Sequence, residues 1–254
     1  MLLAVDIGNT NITLGVFKGD DLVATWRIAT EAGRMPDEYG LVLNQLLPLK
    51  GIATKDISDV VVCNVVPPLT PTFVEVFESY LDVTPLVVGA GTKTGIRILY
   101  DSPRDVGTDR IVDAAAALRL YGGPAIIVDI GTFTVFDAVT KDGDYIGGAI
   151  ALGLAEAADA LFRRAAQLRR VELKLPPSAI GKNTINAIQS GIVLGHADLI
   201  KGMVSRFDRE LGGHSKVIAT GGLANIIESE IDVFDAVDPN LTLSGLRIVH
   251  EMNR

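Results

Sequence analysis

Cysteine is almost missing from this chain. The one thiol, Cys63, lies in the apolar run DVVVCNVVP, which excludes an intramolecular disulfide and reads as a buried strand residue suited to a reducing cytosol. Long hydrophobic runs are also lacking: no stretch approaches the roughly 20 apolar residues that span a bilayer, and MLLAVDIGNT reaches Asp6 without a basic leader. A soluble, cytoplasmic protein with no membrane partner is expected. Positive charge is in the minority, with 23 Lys and Arg against 31 Asp and Glu and a net charge of −8, which disfavours nucleic acid as a partner. There are only three histidines. His196, His214 and His250 have no metal-cluster or triad spacing and read as surface residues of a helix, a loop and a terminal helix, so zinc is not implied. Nor is there a GxxxxGK[ST] sequence, which excludes a Walker-type loop as a nucleotide site.

What the chain does contain is an internal echo. Val5-Asp6-Ile7-Gly8 recurs 123 residues later as Val128-Asp129-Ile130-Gly131, each at the end of an apolar strand and each followed by strand, polar turn and strand. Lys18 and Lys141, in the two turns, keep the same offset. Further strands are expected at 59–67, 84–90 and 215–222, and helical periodicity marks PDEYGLVLNQLL, TPTFVEVFESYL, DRIVDAAAALRLYG, LAEAADALFRRAAQL and NTINAIQSGIVLGHADLIKGMVSRFDREL. Hairpin strands followed by helices alternating with strands predict an α/β fold of two duplicated halves, each a mixed sheet flanked by helices. The division falls near Tyr121-Gly122-Gly123-Pro124, giving halves 1–121 and 122–254.

Asp-x-Gly after a strand is an ordinary turn when met once. Met twice in matching settings, it points to phosphate loops: Gly8 and Gly131 allow close backbone approach, Asn9, Thr10 and Thr132 can donate to phosphate oxygens, and Asp6 and Asp129 can hold cations. A third segment, Val217 to Gly222, sets two glycines after an apolar strand, where adenine or ribose could lie against backbone.

These three elements resemble the phosphate 1, phosphate 2 and adenosine motifs of the acetate kinase, sugar kinase, Hsp70 and actin superfamily. The resemblance implies actin-like (ribonuclease H-like) halves with a five-stranded type of sheet and an active site in the cleft between them. Within it, Gly107-Thr108-Asp109-Arg110 before an alanine-rich helix is similar to the signature of type III pantothenate kinases. Tyr100 at the family's spacing, Gly147-Gly148-Ala149-Ile150 with Gly153, and Gly181-Lys182-Asn183-Thr184 through Ser190-Gly191 add to it in family order.

The family resemblance implies ATP-dependent phosphorylation of pantothenate to 4′-phosphopantothenate, the first step towards coenzyme A, with Asp109 as general base. Tyr100, Gly107, Thr108, Asp109 and Arg110 would hold pantothenate, with Thr184 contributed by the other subunit of a homodimer. Asp6, Ile7, Gly8, Asn9, Thr10, Asn11, Ile12, Thr13 and Thr132 would contact ATP. Asp6 could hold magnesium through water, and Asp129 would bind a monovalent cation, potassium or ammonium. Read alone, Asp109 is an aspartate that complements the dipole at a helix start. The sequence departs from the family pattern at Phe133 and Val135 in the second phosphate loop, at Leu152 in place of proline, and at Arg169. Two other readings are a different small-molecule kinase of the superfamily and a non-catalytic regulatory relative. Intact Asp6, Asp109 and Asp129 weigh against the latter.

Overall fold

The computed structural model describes residues 1–164 and 170–254. Its chain divides into two compact units. One comprises Met1–Ile96, Asp101–Ala116 and Thr242–Arg254; the other comprises Arg97–Tyr100 and Ala117–Leu241.

The first unit opens with β1 (Leu2–Ile7), β2 (Asn11–Lys18) and β3 (Asp21–Ala29), an antiparallel meander. Helix α1 (Pro36–Leu46) follows, then β4 (Asp59–Asn64), α2 (Leu69–Leu81) and the short β5 (Leu86–Val87). β4 and β5 run parallel to β1, so the sheet order is β3-β2-β1-β4-β5. Its central strands are apolar on both faces, as strands covered by helices must be. Helix α2 shows why its segment winds as it does. Leu69, Phe73, Val76, Phe77 and Leu81 recur at helical spacing and are all buried, and each contributes roughly 1.5–3 kcal/mol of apolar burial. The helix stops at Asp82, which takes the left-handed conformation with φ 56°. Helix α1 starts on Pro36, and the Glu38 carboxylate accepts from the Met35 amide at 2.9 Å.

The chain then forms β6 (Arg97–Ile98) and α3 (Thr108–Tyr121), and enters the second repeat through β7 (Ala125–Ile130), β8 (Phe133–Val139) and β9 (Asp144–Leu152). After α4 (Leu154–Arg164) come α5 (Thr184–Gln189), a π turn over Ser190–Leu194 and α6 (Gly195–Glu210), which continue one another. They are followed by β10 (Lys216–Thr220), α7 (Ala224–Ile227), β11 (Ala236–Val237) and α8 (Leu241–Met252). The second sheet runs β11-β10-β7-β8-β9-β6. With β6 set aside, that is the order of the first sheet, with the same pattern of antiparallel hairpins and parallel additions.

The echo extends to fine detail. Asp6 lies opposite Cys63 on the parallel neighbour, and Asp129 lies opposite Thr220. Each outer hairpin carries an irregularity, at Val16/Phe17 in one and Ala138/Val139 in the other. One expectation needs correction. The last helix, α8, does not stay with the second half but packs in the first unit, where Leu243, Leu246 and Val249 meet Leu2, Ala4, Val61 and Cys63. Apolar periodicity identifies a helix; it does not say which sheet the helix covers.

Candidate active site

In the first unit three chain segments converge. Asp6 ends the central strand, and the Cys63 thiol donates to its Oδ1 at 3.3 Å. The amide of Asn64, next to Cys63, donates to Thr108 Oγ1 at 3.2 Å, which fastens the start of α3 to the end of β4. Asn64 Nδ2 also donates to Thr70 Oγ1 at 2.7 Å. Asp109 therefore stands at a fixed place in the first turn of α3, where the Arg110 amide donates to its Oδ1 at 2.8 Å. Gly107 is required to be small, since a Cβ there would run into Asp109 Oδ1.

Burial dominates the electrostatics of this cluster. It pushes the Asp6 carboxyl up from 3.8 to about 7, helped by the nearby Asp109 charge and opposed by the Cys63 thiol and Arg27. Burial also raises Asp109, against the Arg110 amide and guanidinium. The Cys63 thiol is raised well above its ordinary range by burial and by both aspartates, so it is a neutral donor here. Two carboxylates disfavoured in their ionised form are an arrangement that a cation would relieve. Among the described residues no group of three or more His, Cys, Asp and Glu side chains could ligate a metal alone. The donor set therefore fits a magnesium ion that arrives with phosphate oxygens and water and takes a carboxylate such as Asp6.

The first Asp-Ile-Gly loop follows Asp6. The Gly8 amide donates to Asn11 O at 3.0 Å, while Thr30 closes the other side, its Oγ1 donating to Gly8 O at 2.7 Å and its amide to Thr10 O at 3.0 Å. Asn9, Thr10 and Asn11 are exposed, Ile12 is fully buried and Thr13 is half-buried opposite Arg27. Of the run 6–13, then, Ile7 and Ile12 anchor the loop in the core and the residues between them are presented outward.

The second unit repeats the loop in shorter form. The Gly131 amide donates to Phe133 O at 3.0 Å, and the Gly153 amide to Thr132 O at 3.2 Å. A Cβ on Gly153 would strike Gly131 O and Thr132 O. Gly221, at φ +94°, lies so close that a Cβ would meet Asp129 Oδ1 and the Ile130 backbone, and Leu223 N donates to Ile130 O at 3.1 Å. The Gly221-Gly222 segment is thus placed against the second Asp-Ile-Gly loop. An aspartate edged by backbone suits a weakly held cation with mixed carboxylate and carbonyl ligands.

Phe133 and Leu152, two of the departures from the family pattern, are direct cross-strand partners on β8 and β9, 46% and 49% exposed. Directly opposed positions on neighbouring strands are the ones whose side chains can pack together. Val135 lies opposite Asp129 in the register. Arg169 lies outside the described residues.

Tyr100 is placed by β6 in the second unit, with its ring centroid 6.2 Å from that of Tyr145. Thr184 begins α5 and is exposed, while Asn183 caps the helix by accepting from the Asn186 amide at 2.9 Å. Gly181 packs where a Cβ would meet the backbone of Ala187.

The histidine reading needs correction. His196 is 7% exposed and shares a 2.7 Å hydrogen bond with the buried Thr134 hydroxyl. His250 is also buried, 3.4 Å from Asp59; only His214 is at the surface. Histidine on a helix is exposed more often than not, and nothing in the local pattern marked the π turn that places His196 inward.

The family model described as type III pantothenate kinase matches residues 2–206. A type III pantothenate kinase of Moorella thermoacetica is 52% identical over 253 residues, covering the whole of both chains. The chain belongs to the type III pantothenate kinase family. Solved structures agree on the fold. A protein from Campylobacter jejuni described as a conserved putative Baf family transcriptional activator superposes with a TM-score of 0.64 at 18% identity, covering 99% of this chain and 98% of that one. A putative 2-dehydro-3-deoxygalactonokinase from Sinorhizobium meliloti does so with a TM-score of 0.61 at 14% identity, covering 99% and 96%. Both likenesses are of fold. No helix of the described residues is long and apolar enough to cross a membrane.

Proposed function

We propose that this chain phosphorylates pantothenate with ATP in the cytoplasm, and that Asp109 is the general base. The observation that carries the second claim is a carboxyl group raised by burial yet fixed by the Arg110 amide at the start of α3. A base whose proton affinity is lifted towards neutrality, and whose rotamer is held, is suited to taking a proton from an alcohol as the oxygen moves to phosphorus.

The pantothenate primary hydroxyl gives its proton to Asp109, its oxygen bonds to the γ-phosphorus, and the bond from that phosphorus to the β–γ bridging oxygen breaks to release ADP. Arg110 pairs with the pantothenate carboxylate, while Gly107, Thr108 and Tyr100 line the acceptor. The loop from Asp6 to Thr13, together with Thr132, donates to the nucleotide phosphates. Asp6 would hold magnesium through water, and Asp129 would hold potassium or ammonium. Magnesium, when bound, neutralises charge on the transferring phosphoryl group. The exposed position of Thr184 supports a homodimer in which it reaches the acceptor bound by the other copy.

The test is ADP release with ATP, magnesium and potassium, with and without pantothenate. Turnover is expected only with pantothenate and to depend on the monovalent ion. Asp109→Asn is expected to lower kcat by about 10²–10⁴-fold while calorimetric ATP binding stays within a few-fold. Unchanged turnover in that variant removes Asp109 as the base, and phosphorylation of a sugar instead of pantothenate overturns the substrate assignment.

A further inference from the structure

The second unit buries a polar pair that the phosphoryl transfer does not use. Tyr145 on β9 is fully buried, and its hydroxyl donates at 2.7 Å to Oδ1 of Asp137, which is 2% exposed on β8. Desolvating a carboxylate and a phenol is unfavourable, and an apolar pair of similar volume could fill the space at lower cost. The arrangement calls for another reason, and the surroundings of Tyr145 supply it.

The strand before Tyr100 is only two residues long, and its attachment runs through Tyr145 and its neighbours. Ile98 pairs with Tyr145 in parallel register, and the Leu99 amide donates to Tyr145 O at 2.8 Å. One register position earlier, the Arg97 guanidinium grips Asp144 with two bonds of 2.6 and 2.7 Å. The Tyr100 ring then leans on the Tyr145 ring, with planes 52° apart. Gly147, at φ +131°, where glycine is favoured, passes beside the Tyr100 ring at ordinary packing distance. Tyr100 is 36% exposed, so one face of its ring is backed by Tyr145 and Gly147 while part of it remains accessible.

We propose that Tyr145, held by Asp137, is a positioning residue for Tyr100, fixing the angle of the Tyr100 ring and thereby the affinity for the acceptor alcohol. The inference rests on the reading of Tyr100 as an acceptor-binding residue. It assigns Tyr145 and Asp137 a role in acceptor affinity and none in ATP affinity.

The experiment is steady-state ADP release by the full chain, with pantothenate and ATP varied separately. Tyr145→Phe is expected to raise the KM for pantothenate about three- to ten-fold, with kcat and the KM for ATP within about twofold of the parent, the pattern of lost binding rather than lost chemistry. Asp137→Asn, which keeps an acceptor oxygen and the side-chain volume, is expected to give a smaller rise and serves as the measurement if Tyr145→Phe does not fold. Tyr100→Ala is expected to raise the same KM at least as far, and adding Tyr145→Phe to it is expected to change nothing more. Equal increases in both KM values, or no increase in either Tyr145→Phe or Asp137→Asn while Tyr100→Ala raises it, overturns the positioning role alone. If Tyr100→Ala leaves the pantothenate KM unchanged, the reading of Tyr100 fails and this proposal fails with it.

Discussion

At the end of β1, Asp6 lies beside a thiol; at the end of β7, Asp129 lies beside the bare backbone of Gly221. The two strands occupy the same place in their sheets, and the two loops are closed by the same glycine-amide bond, Gly8 to Asn11 O and Gly131 to Phe133 O. Yet the first loop has three residues between strands and the second has two. The clasp on the far side differs accordingly. Thr30 reaches the first loop with a hydroxyl and an amide, whereas Gly153 reaches the shorter second loop with an amide alone because no Cβ fits. Duplication has kept the backbone path and let the side chains diverge. One aspartate ended buried beside a thiol and a second carboxylate, the other at a backbone-lined edge.

The sharpest way to break this comparison is to neutralise the first aspartate. Asp6→Asn is expected to lower kcat by about 10²–10³-fold, and also to stabilise the protein at about pH 8. The sign follows from its pKa: with the folded value raised from 3.8 to about 7, the stability linked to Asp6 is present below 3.8 and lost as pH rises through 7. Thermal melts should show the variant's advantage at about pH 8 and its disappearance near pH 4. A variant that is active, or less stable than the parent at the higher pH, would contradict the burial argument.

The clasps give a second, smaller contrast. Gly153→Ala forces a methyl against Gly131 O and Thr132 O and is expected to destabilise by about 1–3 kcal/mol, whereas Thr30→Val removes one hydroxyl bond and is expected to lose about 0.5–1.5 kcal/mol. Urea midpoints that reverse this order would show that the first loop, not the second, is the tightly packed one.

The smallest effect concerns His196, whose burial lowers its pKa below 6.5. The fold then binds fewer protons than the unfolded chain, so stability falls as pH drops below about 6.5. His196→Gln should flatten that part of the curve in a pH series of melts. No flattening would mean that the burial of His196 carries no pH-linked stability.

Much of this was legible in the sequence because it is written in local pattern. The repeated Val-Asp-Ile-Gly predicted two equivalent strands, and their sheets share one strand order and one loop closure. The start of α3 was marked by Gly107 to Arg110, where the structure sets Gly107 close against the Asp109 carboxylate. What stayed hidden depends on pairing across distance. Cys63 lies in a run that reads only as apolar, and its contact with Asp6 follows from a parallel register that no local signal encodes. Tyr145 and Asp137 are separated by a turn and meet only once β8 and β9 align. The inward turn of His196 depends on a π turn, where one extra residue rotates everything after it.

The return of α8 to the first unit has a consequence for synthesis. A ribosome releases β1 through β5 long before it releases Leu243, Leu246 and Val249, the side chains that cover Leu2, Ala4 and Cys63. Until Leu243, Leu246 and Val249 emerge, that face of the first sheet has Val112 and Ala115 of α3 against it but lacks the rest of its cover, so a sheet made early is closed by side chains made more than a hundred residues later.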